Sequence, residues 1–136
     1  MRKINLIVLH CSATKETHPY TPEQLERDHK ARGFTQAGYH FYIRRNGEIV
    51  SMRPVELIPA HAKGFNRNSI AICYEGGLDV TGKPRDTRTL KQKESIRILL
   101  LLLLTHHPGS RICGHRDLGA HKACPCFNAE EEYASL

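Results

Sequence analysis

Imidazole, thiol and ammonium groups are concentrated in one segment near the C-terminus, from Arg111 to Phe127. The segment has no strong helical or strand periodicity, and an apolar run precedes it. Its chemically active side chains are those of His115, His121, Lys122, Cys124 and Cys126. Chains rarely collect such groups in a loop for packing reasons, and imidazole and thiolate are the protein ligands that zinc prefers. The segment therefore indicates a metal site.

A catalytic zinc ion takes three protein ligands and keeps a fourth position for water. His115 and Cys124 are far enough apart along the chain for one loop to fold back around a metal. His10 is the best third ligand, because it ends an apolar segment predicted to be a central strand, and ligands bind beyond the carboxyl ends of strands in such sheets. From the residues alone, His10 could instead be a hydrogen-bonded structural residue, and Cys124 an inert buried thiol.

Local patterns predict the elements that must position these residues. Thr21-Pro22 and Thr89 with Gln92 are helix starts, and Asn128 is a helix cap. Asn46-Gly47 is a hairpin signal.

The nearly continuous apolar runs are typical of strands that are covered on both faces. The predicted order is a strand at 4–9, a helix at 21–32, a hairpin of 39–43 and 48–52, a strand at 69–74, a helix at 89–105, a strand at 111–113 and a short terminal helix. This order predicts an α/β fold with a single domain, residues 1–136, in which a central mixed β-sheet is flanked by helices on both faces.

The composition limits the possible classes of function. The 136 residues suit one compact domain, and an excess of basic residues gives a formal net charge of +6. A basic protein is drawn to polyanions such as nucleic acid or an anionic cell-wall polymer, although a solvated basic surface explains the charge equally well. Because the sequence lacks an interleaved aromatic and basic stripe, we expect no nucleic-acid partner. We also expect a monomer.

The cysteines and the apolar runs indicate in which part of the cell the protein is made. Five scattered cysteines, an odd number, argue against a disulfide framework. The apolar run after Arg2 and Lys3 is too short for a secretory signal and lacks a cleavage site, so the protein is expected to be cytoplasmic as synthesised. The leucine run Leu99–Leu104 is far shorter than the roughly 20 apolar residues of a membrane span. We interpret it as one buried helix and expect no membrane partner.

Three stretches of the chain carry a resemblance to a known family. The first is Val8–Thr14, the second combines Gly38–Phe41 and the Asn46-Gly47 turn with His61–Asn66 and Asn68–Ile70, and the third combines Gly114–Leu118 with Lys122–Pro125. In order and spacing they resemble the zinc-dependent N-acetylmuramoyl-L-alanine amidases of the phage-lysozyme and peptidoglycan-recognition-protein superfamily (amidase type 2). The phage-lysozyme branch is the most similar.

The resemblance implies an enzyme that cuts the amide bond between N-acetylmuramic acid and L-alanine in peptidoglycan or muropeptides. It implies a Zn²⁺ ion held by His10, His115 and Cys124, with Tyr39 and Lys122 at the reacting centre. Such an enzyme would act on the cell wall after release, or on muropeptides after import. The alternative is a non-catalytic peptidoglycan-recognition module on the same fold. Relatives of that type lose the cysteine ligand, whereas Cys124 is present here.

The chemistry of the implied residues agrees with this interpretation. An ammonium group on Lys122 can stabilise an oxyanion, and the Tyr39 hydroxyl can orient water or relay a proton to a leaving nitrogen. The resemblance also implies that His61, Asn66 and Asn68 line a substrate-binding groove. For His61 the alternative is a hydrogen bond that stabilises a loop.

Several neighbouring residues have simpler predicted roles. Cys126 departs from the family pattern and is interpreted as an unligated thiol, although it could instead compete for zinc. Since side chains alternate across a strand, Cys11 should lie on the wrong face to bind the metal, and His40 should face away from it. Arg116 and Asp117 are expected to tie down the metal loop, as an ion pair or as partners of its ligands, although an ordinary exposed pair is an alternative.

Overall fold

Two sheets and three α-helices make up the computed structural model, which describes residues 2–136. The strands are β1 (Leu6–Cys11), β2 (Thr14–Lys15), β3 (Phe41–Ile43), β4 (Ile49–Ser51), β5 (Ser69–Tyr74), β6 (Gly77–Leu78) and β7 (Arg111–Gly114). The helices are α1 (Pro22–Ala31), α2 (Leu90–His106) and α3 (Ala129–Glu132). Short 3-10 helices occupy Asn66–Asn68 and His115–Leu118.

The central sheet has five strands in the order β4-β3-β5-β1-β7. β1 pairs in parallel with β5 and β7, β3 pairs in parallel with β5, and β4 pairs antiparallel with β3. The predicted α/β fold with a mixed sheet is therefore confirmed. β1 lies between two parallel neighbours and every one of its residues is buried, as expected for a nearly continuous apolar run.

The two faces of the sheet are covered by different helices. On one face, Ile7 and Leu9 belong to the main core together with Leu100 of α2 and Tyr133, which follows α3. On the other face, Leu25 of α1 packs in a second cluster with Tyr42 and Cys73 of the sheet. The prediction of helices on both faces is confirmed. Because side chains alternate along β1, His10 lies on the α1 side.

Helix caps follow the local predictions. The Thr21 hydroxyl accepts a hydrogen bond from the Gln24 N–H, and Pro22 is the first residue of α1. Thr89 and Gln92 form a reciprocal capping box at the start of α2. The Asn128 side chain caps α3. These caps satisfy backbone donors that have no partner inside the helix.

The structure differs from the sequence predictions in three places. β1 continues through His10 and Cys11, because backbone pairing with β5 is independent of side-chain polarity. β2 and β6 form a small second sheet where loops were predicted.

The third difference concerns the leucine run of α2. Leu99, Leu100 and Leu103 are buried, but Leu101 and Leu102 are 44% and 53% exposed. The prediction of a buried helix is therefore wrong for one face, because only one side of α2 contacts the sheet. No helix within residues 2–136 is long and apolar enough to cross a membrane.

Candidate metal centre and groove

Three side chains from distant parts of the chain meet beyond the end of β1. The ligand atoms of His10, His115 and Cys124 all lie within 4.8 Å of one another. His10 Nδ1 is 3.9 Å from Cys124 Sγ, and the His10 and His115 ring centroids are 4.5 Å apart. β1 supplies His10, and its parallel neighbour β7 leads directly into His115. The structure thus brings together the three residues predicted as metal ligands.

The loop that carries Cys124 is held against β1 and β7. The Cys11 N–H donates to Cys124 Sγ at 3.2 Å, and the Arg116 N–H donates to the Cys124 carbonyl at 2.9 Å. A β-carbon at Gly114 would lie 2.6 Å from Cδ of Pro125. A side chain at position 114 would therefore push the loop outward.

Protonation states at the cluster suit metal binding. Burial lowers the pKa of His10 well below the usual imidazole value, and burial and Lys122 lower the pKa of His115. Hydrogen bonding from Cys11 lowers the pKa of the Cys124 thiol. Neutral imidazoles and a thiolate are the forms that bind a metal ion. The three pKa shifts therefore favour the forms that bind a metal ion.

A groove of about 660 Å³ opens above the cluster. Besides the three cluster residues, the side chains that line it include Tyr39, His61, Asn66, Lys122, His29, Arg32 and Phe34. The last three lie on or just after α1, and the sequence analysis missed them. They belong to no motif that carries chemistry, so only the position of α1 relative to the groove identifies them.

Tyr39 lies against the His10 ring, with ring centroids 4.9 Å apart. Burial raises the pKa of Tyr39 well above the usual phenol value, so its hydroxyl keeps its proton at neutral pH. Lys122 is exposed at the groove. Its charge lowers the pKa values of His10, His115 and Cys124, which places an ammonium group close to all three.

Comparison with known proteins identifies the family. The family model Amidase_2, described as N-acetylmuramoyl-L-alanine amidase, matches residues 1–127. The chain belongs to the N-acetylmuramoyl-L-alanine amidase family.

Phage proteins are among the relatives of this amidase. It is 41% identical over 122 residues to the endolysin of Enterobacteria phage T3, a match that covers 90% of this chain and 80% of the endolysin. The endolysin of Escherichia phage T7 is 39% identical over 122 residues, which again cover 90% of this chain and 80% of the endolysin. The predicted enzyme class is confirmed: these relatives and the family match support amidase activity on peptidoglycan.

Solved structures confirm the fold. The N-acetylmuramoyl-L-alanine amidase LysC from Clostridium intestinale matches with a TM-score of 0.81 and 29% identity, covering 97% of this chain and 83% of LysC. Drosophila PGRP-LB, in a structure with tracheal cytotoxin, also gives a TM-score of 0.81 at 20% identity, covering all of this chain (100%) and 83% of PGRP-LB. This second match shows a shared fold only.

The residues of the amidase predicted to bind substrate fall into two groups. His61 and Asn66 line the groove. The Asn66 side chain accepts hydrogen bonds from the backbone N–H groups of His61 and Ala62, at 2.9 and 3.0 Å. Asn68 does not line the groove; its amide donates to the side chain of Asn5.

The predictions for residues around the ligand cluster of the amidase have different outcomes. His40 is buried away from the cluster, and its Nδ1 accepts a hydrogen bond from the Ala71 N–H. Cys11 and Cys126 lie outside the group of possible ligands, with their sulfurs 3.9 Å apart. The Asp117 carboxylate accepts from the Gly114 N–H at 2.7 Å. Within residues 2–136, Asp117 forms no salt bridge with Arg116.

Proposed function

We propose that the amidase is a zinc hydrolase that cleaves the amide bond between N-acetylmuramic acid and L-alanine in peptidoglycan. The observation that carries the proposal is the convergence of His10, His115 and Cys124 at one edge of the sheet, at the base of a groove. Family membership supports the substrate class. The metal and the roles of individual residues are inferred from the chemistry of the site.

The donor set fits zinc. Two imidazoles and one thiolate are a ligand combination found in catalytic zinc sites, and three protein ligands leave one position open. Hard cations such as Mg²⁺ and Ca²⁺ prefer oxygen ligands. When bound, zinc would act as a Lewis acid that polarises the substrate carbonyl and lowers the pKa of water.

In this proposal, Lys122 stabilises the negative charge that develops on the oxygen of the attacked amide. Its side chain reaches the groove from the same loop that carries Cys124. An ammonium group near a developing oxyanion stabilises the transition state more than the uncharged ground state. We therefore assign Lys122 an electrostatic role in catalysis.

In this proposal, Tyr39 acts through its hydroxyl hydrogen. Its ring contacts His10, and its raised pKa keeps the hydroxyl protonated. A protonated phenol can orient the attacking water or give a hydrogen bond to the leaving nitrogen, which must gain a proton as the amide bond breaks. Tyr39 is thus the proposed hydrogen-bond donor in the groove, to the attacking water or to the leaving nitrogen.

Two cysteine variants test the metal assignment directly. We expect Cys124→Ser to lose bound zinc, measured by elemental analysis, and to stop releasing stem peptides from purified cell walls. Cys126→Ser is the matched control, because Cys126 lies two residues away and outside the ligand group. It should retain metal and activity. A chelator should abolish release by the unmodified protein, and added zinc should restore it.

Other results would contradict the proposal. A Cys124→Ser variant that keeps zinc and activity would remove Cys124 from the ligand set. If zinc-loaded protein bound cell walls but released no stem peptide, the non-catalytic recognition module would be the better description.

A further inference from the structure

A hydrogen-bonded chain of three side chains, with His61 half-buried between the buried His10 and Ser69, adjoins the ligand cluster. His61 Nδ1 is 2.6 Å from His10 Nε2, and His61 Nε2 is 2.7 Å from Ser69 Oγ. The other His10 nitrogen, Nδ1, faces Cys124 Sγ at 3.9 Å. The two nitrogens of His10 therefore face different partners: Nδ1 points to the cluster and Nε2 to His61.

If His10 Nδ1 is the nitrogen that binds the metal, these two contacts admit one arrangement of protons. A histidine nitrogen that binds a metal must offer a lone pair, so the proton of neutral His10 belongs on Nε2, where it is donated to His61 Nδ1. Neutral His61 must then carry its own proton on Nε2 and donate it to the Ser69 hydroxyl. This single arrangement satisfies both short contacts and leaves His10 Nδ1 free.

We propose that His61 is a positioning residue that holds His10 in the tautomer and ring orientation needed to bind zinc, and that Ser69 orients His61. The inference rests on the proposed function, in which His10 is a zinc ligand. Hydrogen bonds of this kind between a metal-binding histidine and an outer partner commonly set ring orientation and metal affinity. Both ring nitrogens of His61 are engaged, so neither is free for a substrate.

The position of His61 is fixed by its backbone as well as by its ring. The side chain of Asn66 accepts from the N–H groups of His61 and Ala62. Ser69 is the first residue of β5 and is fully buried. β5 pairs with β1, with Leu6 opposite Ser69 and Cys73 opposite His10. The His61 ring therefore links the start of β5 to a residue near the end of β1. The loop should therefore keep its path when the ring is changed.

Zinc affinity of the full-length protein tests this role. We expect His61→Phe, which keeps an aromatic ring but has no nitrogen, to weaken zinc binding by about 10–100-fold, the usual effect of losing an outer partner. Ser69→Ala should cause a loss of about tenfold, at the lower end of that range. His61→Gln should recover part of the affinity, because its amide can accept from His10 and donate to Ser69. Competition with a chromophoric chelator measures each dissociation constant.

Two further measurements separate positioning from general structural damage. The visible absorption of the Co²⁺-substituted protein should shift in His61→Phe, because it reports the ligand geometry directly. His18→Phe is the matched control, since His18 is an exposed imidazole on another loop, and it should leave affinity and spectrum unchanged. Circular dichroism checks folding, and if His61→Phe fails to fold, Ser69→Ala supplies the test.

The outcomes distinguish this inference from the function on which it rests. If His61→Phe binds zinc as tightly as the unmodified protein while Cys124→Ser does not, the positioning role is overturned and the zinc assignment stands. An increase in KM for His61→Phe with unchanged zinc affinity would make His61 a substrate contact instead. If Cys124→Ser also keeps full zinc affinity, the ligand assignment and this inference both fail.

Discussion

Burial shifts the pKa values of two side chains at the ligand cluster, and hydrogen bonding shifts that of a third. Burial lowers the pKa of His10 and raises that of Tyr39, since removal from water penalises the charged form of either group. Cys124 behaves differently, because hydrogen bonding from Cys11 outweighs burial and lowers its pKa. Burial thus favours the neutral forms of His10 and Tyr39, whereas the hydrogen bond to Cys124 favours its thiolate. Lys122, exposed at the groove, supplies the positive charge.

The electrostatic role of Lys122 gives a prediction at the level of one residue. We expect Lys122→Ala to lower kcat on muropeptide by about 10²–10³-fold, the usual cost of removing one group that stabilises an oxyanion. Zinc content should not change, because Lys122 is not a ligand. Steady-state kinetics with elemental analysis measure both. Lys91→Ala, an exposed lysine on α2, is the control, and a Lys122→Ala variant with unchanged kcat would rule out the role.

At the level of elements, one glycine joins three parts of the groove wall. The Gly38 N–H donates to His29 Nδ1 on α1 at 2.8 Å, and the Gly38 carbonyl accepts from the Ala60 N–H at 3.1 Å. Gly38 also precedes Tyr39 directly. A β-carbon at position 38 would collide with the carbonyl oxygen of Ala60, which is backbone and cannot rotate away. The close contact of two loops therefore requires glycine here.

Substitution of this glycine tests the packing of the groove wall. We expect Gly38→Ala to lower the free energy of unfolding by about 1–3 kcal/mol, the typical cost of an added methyl group in a tightly packed site. Urea denaturation followed by circular dichroism measures the change. Thr35→Ala, at an exposed position of the same loop, should have little effect. Equal stability of Gly38→Ala and the unmodified protein would show that the two loops can separate at no cost.

At the scale of the whole molecule, several histidines are folded into the interior as neutral groups. Burial lowers the pKa of His40 to about 4 and that of His61 to about 3, and lowers the pKa of His10 well below its usual value. In the unfolded chain each would titrate near 6.5. Below that pH the unfolded chain binds protons that the folded protein excludes.

This difference predicts how stability depends on pH. We expect the free energy of unfolding of the metal-free protein to fall as the pH drops from 6.5 to 4.5, because the unfolded chain takes up more protons in that range. Each buried histidine contributes at most about 1.4 kcal/mol per pH unit. Urea denaturation at a series of pH values measures the slope. His18→Asn, which removes an exposed histidine, should leave the slope unchanged, and a flat profile would mean that the buried histidines take up protons without unfolding.

Local chemistry made much of this protein predictable from its sequence. The helix caps at Thr21 and Thr89 depend on residues within a few positions of each other, and the apolar run of β1 is sufficient to predict a central strand. The choice of His10, His115 and Cys124 followed from the ligand preferences of zinc and from a family resemblance. In the structure these three residues converge, in agreement with that choice. His10 and His115 meet because β1 and β7 are parallel neighbours that end at the same edge of the sheet.

Only the tertiary structure decided which side chains contact one another across the sheet. The contacts of His61 with His10 and Ser69 join a loop to two strands, and no local pattern encodes which nitrogen faces which partner. Similarly, the consecutive leucines of α2 are identical in sequence, and the packing of α2 on the sheet determines that Leu100 is buried and Leu102 exposed. Sequence determines what a residue can do chemically and which local element it forms. Contacts between distant residues depend on how the elements pack, because packing is a property of the whole chain.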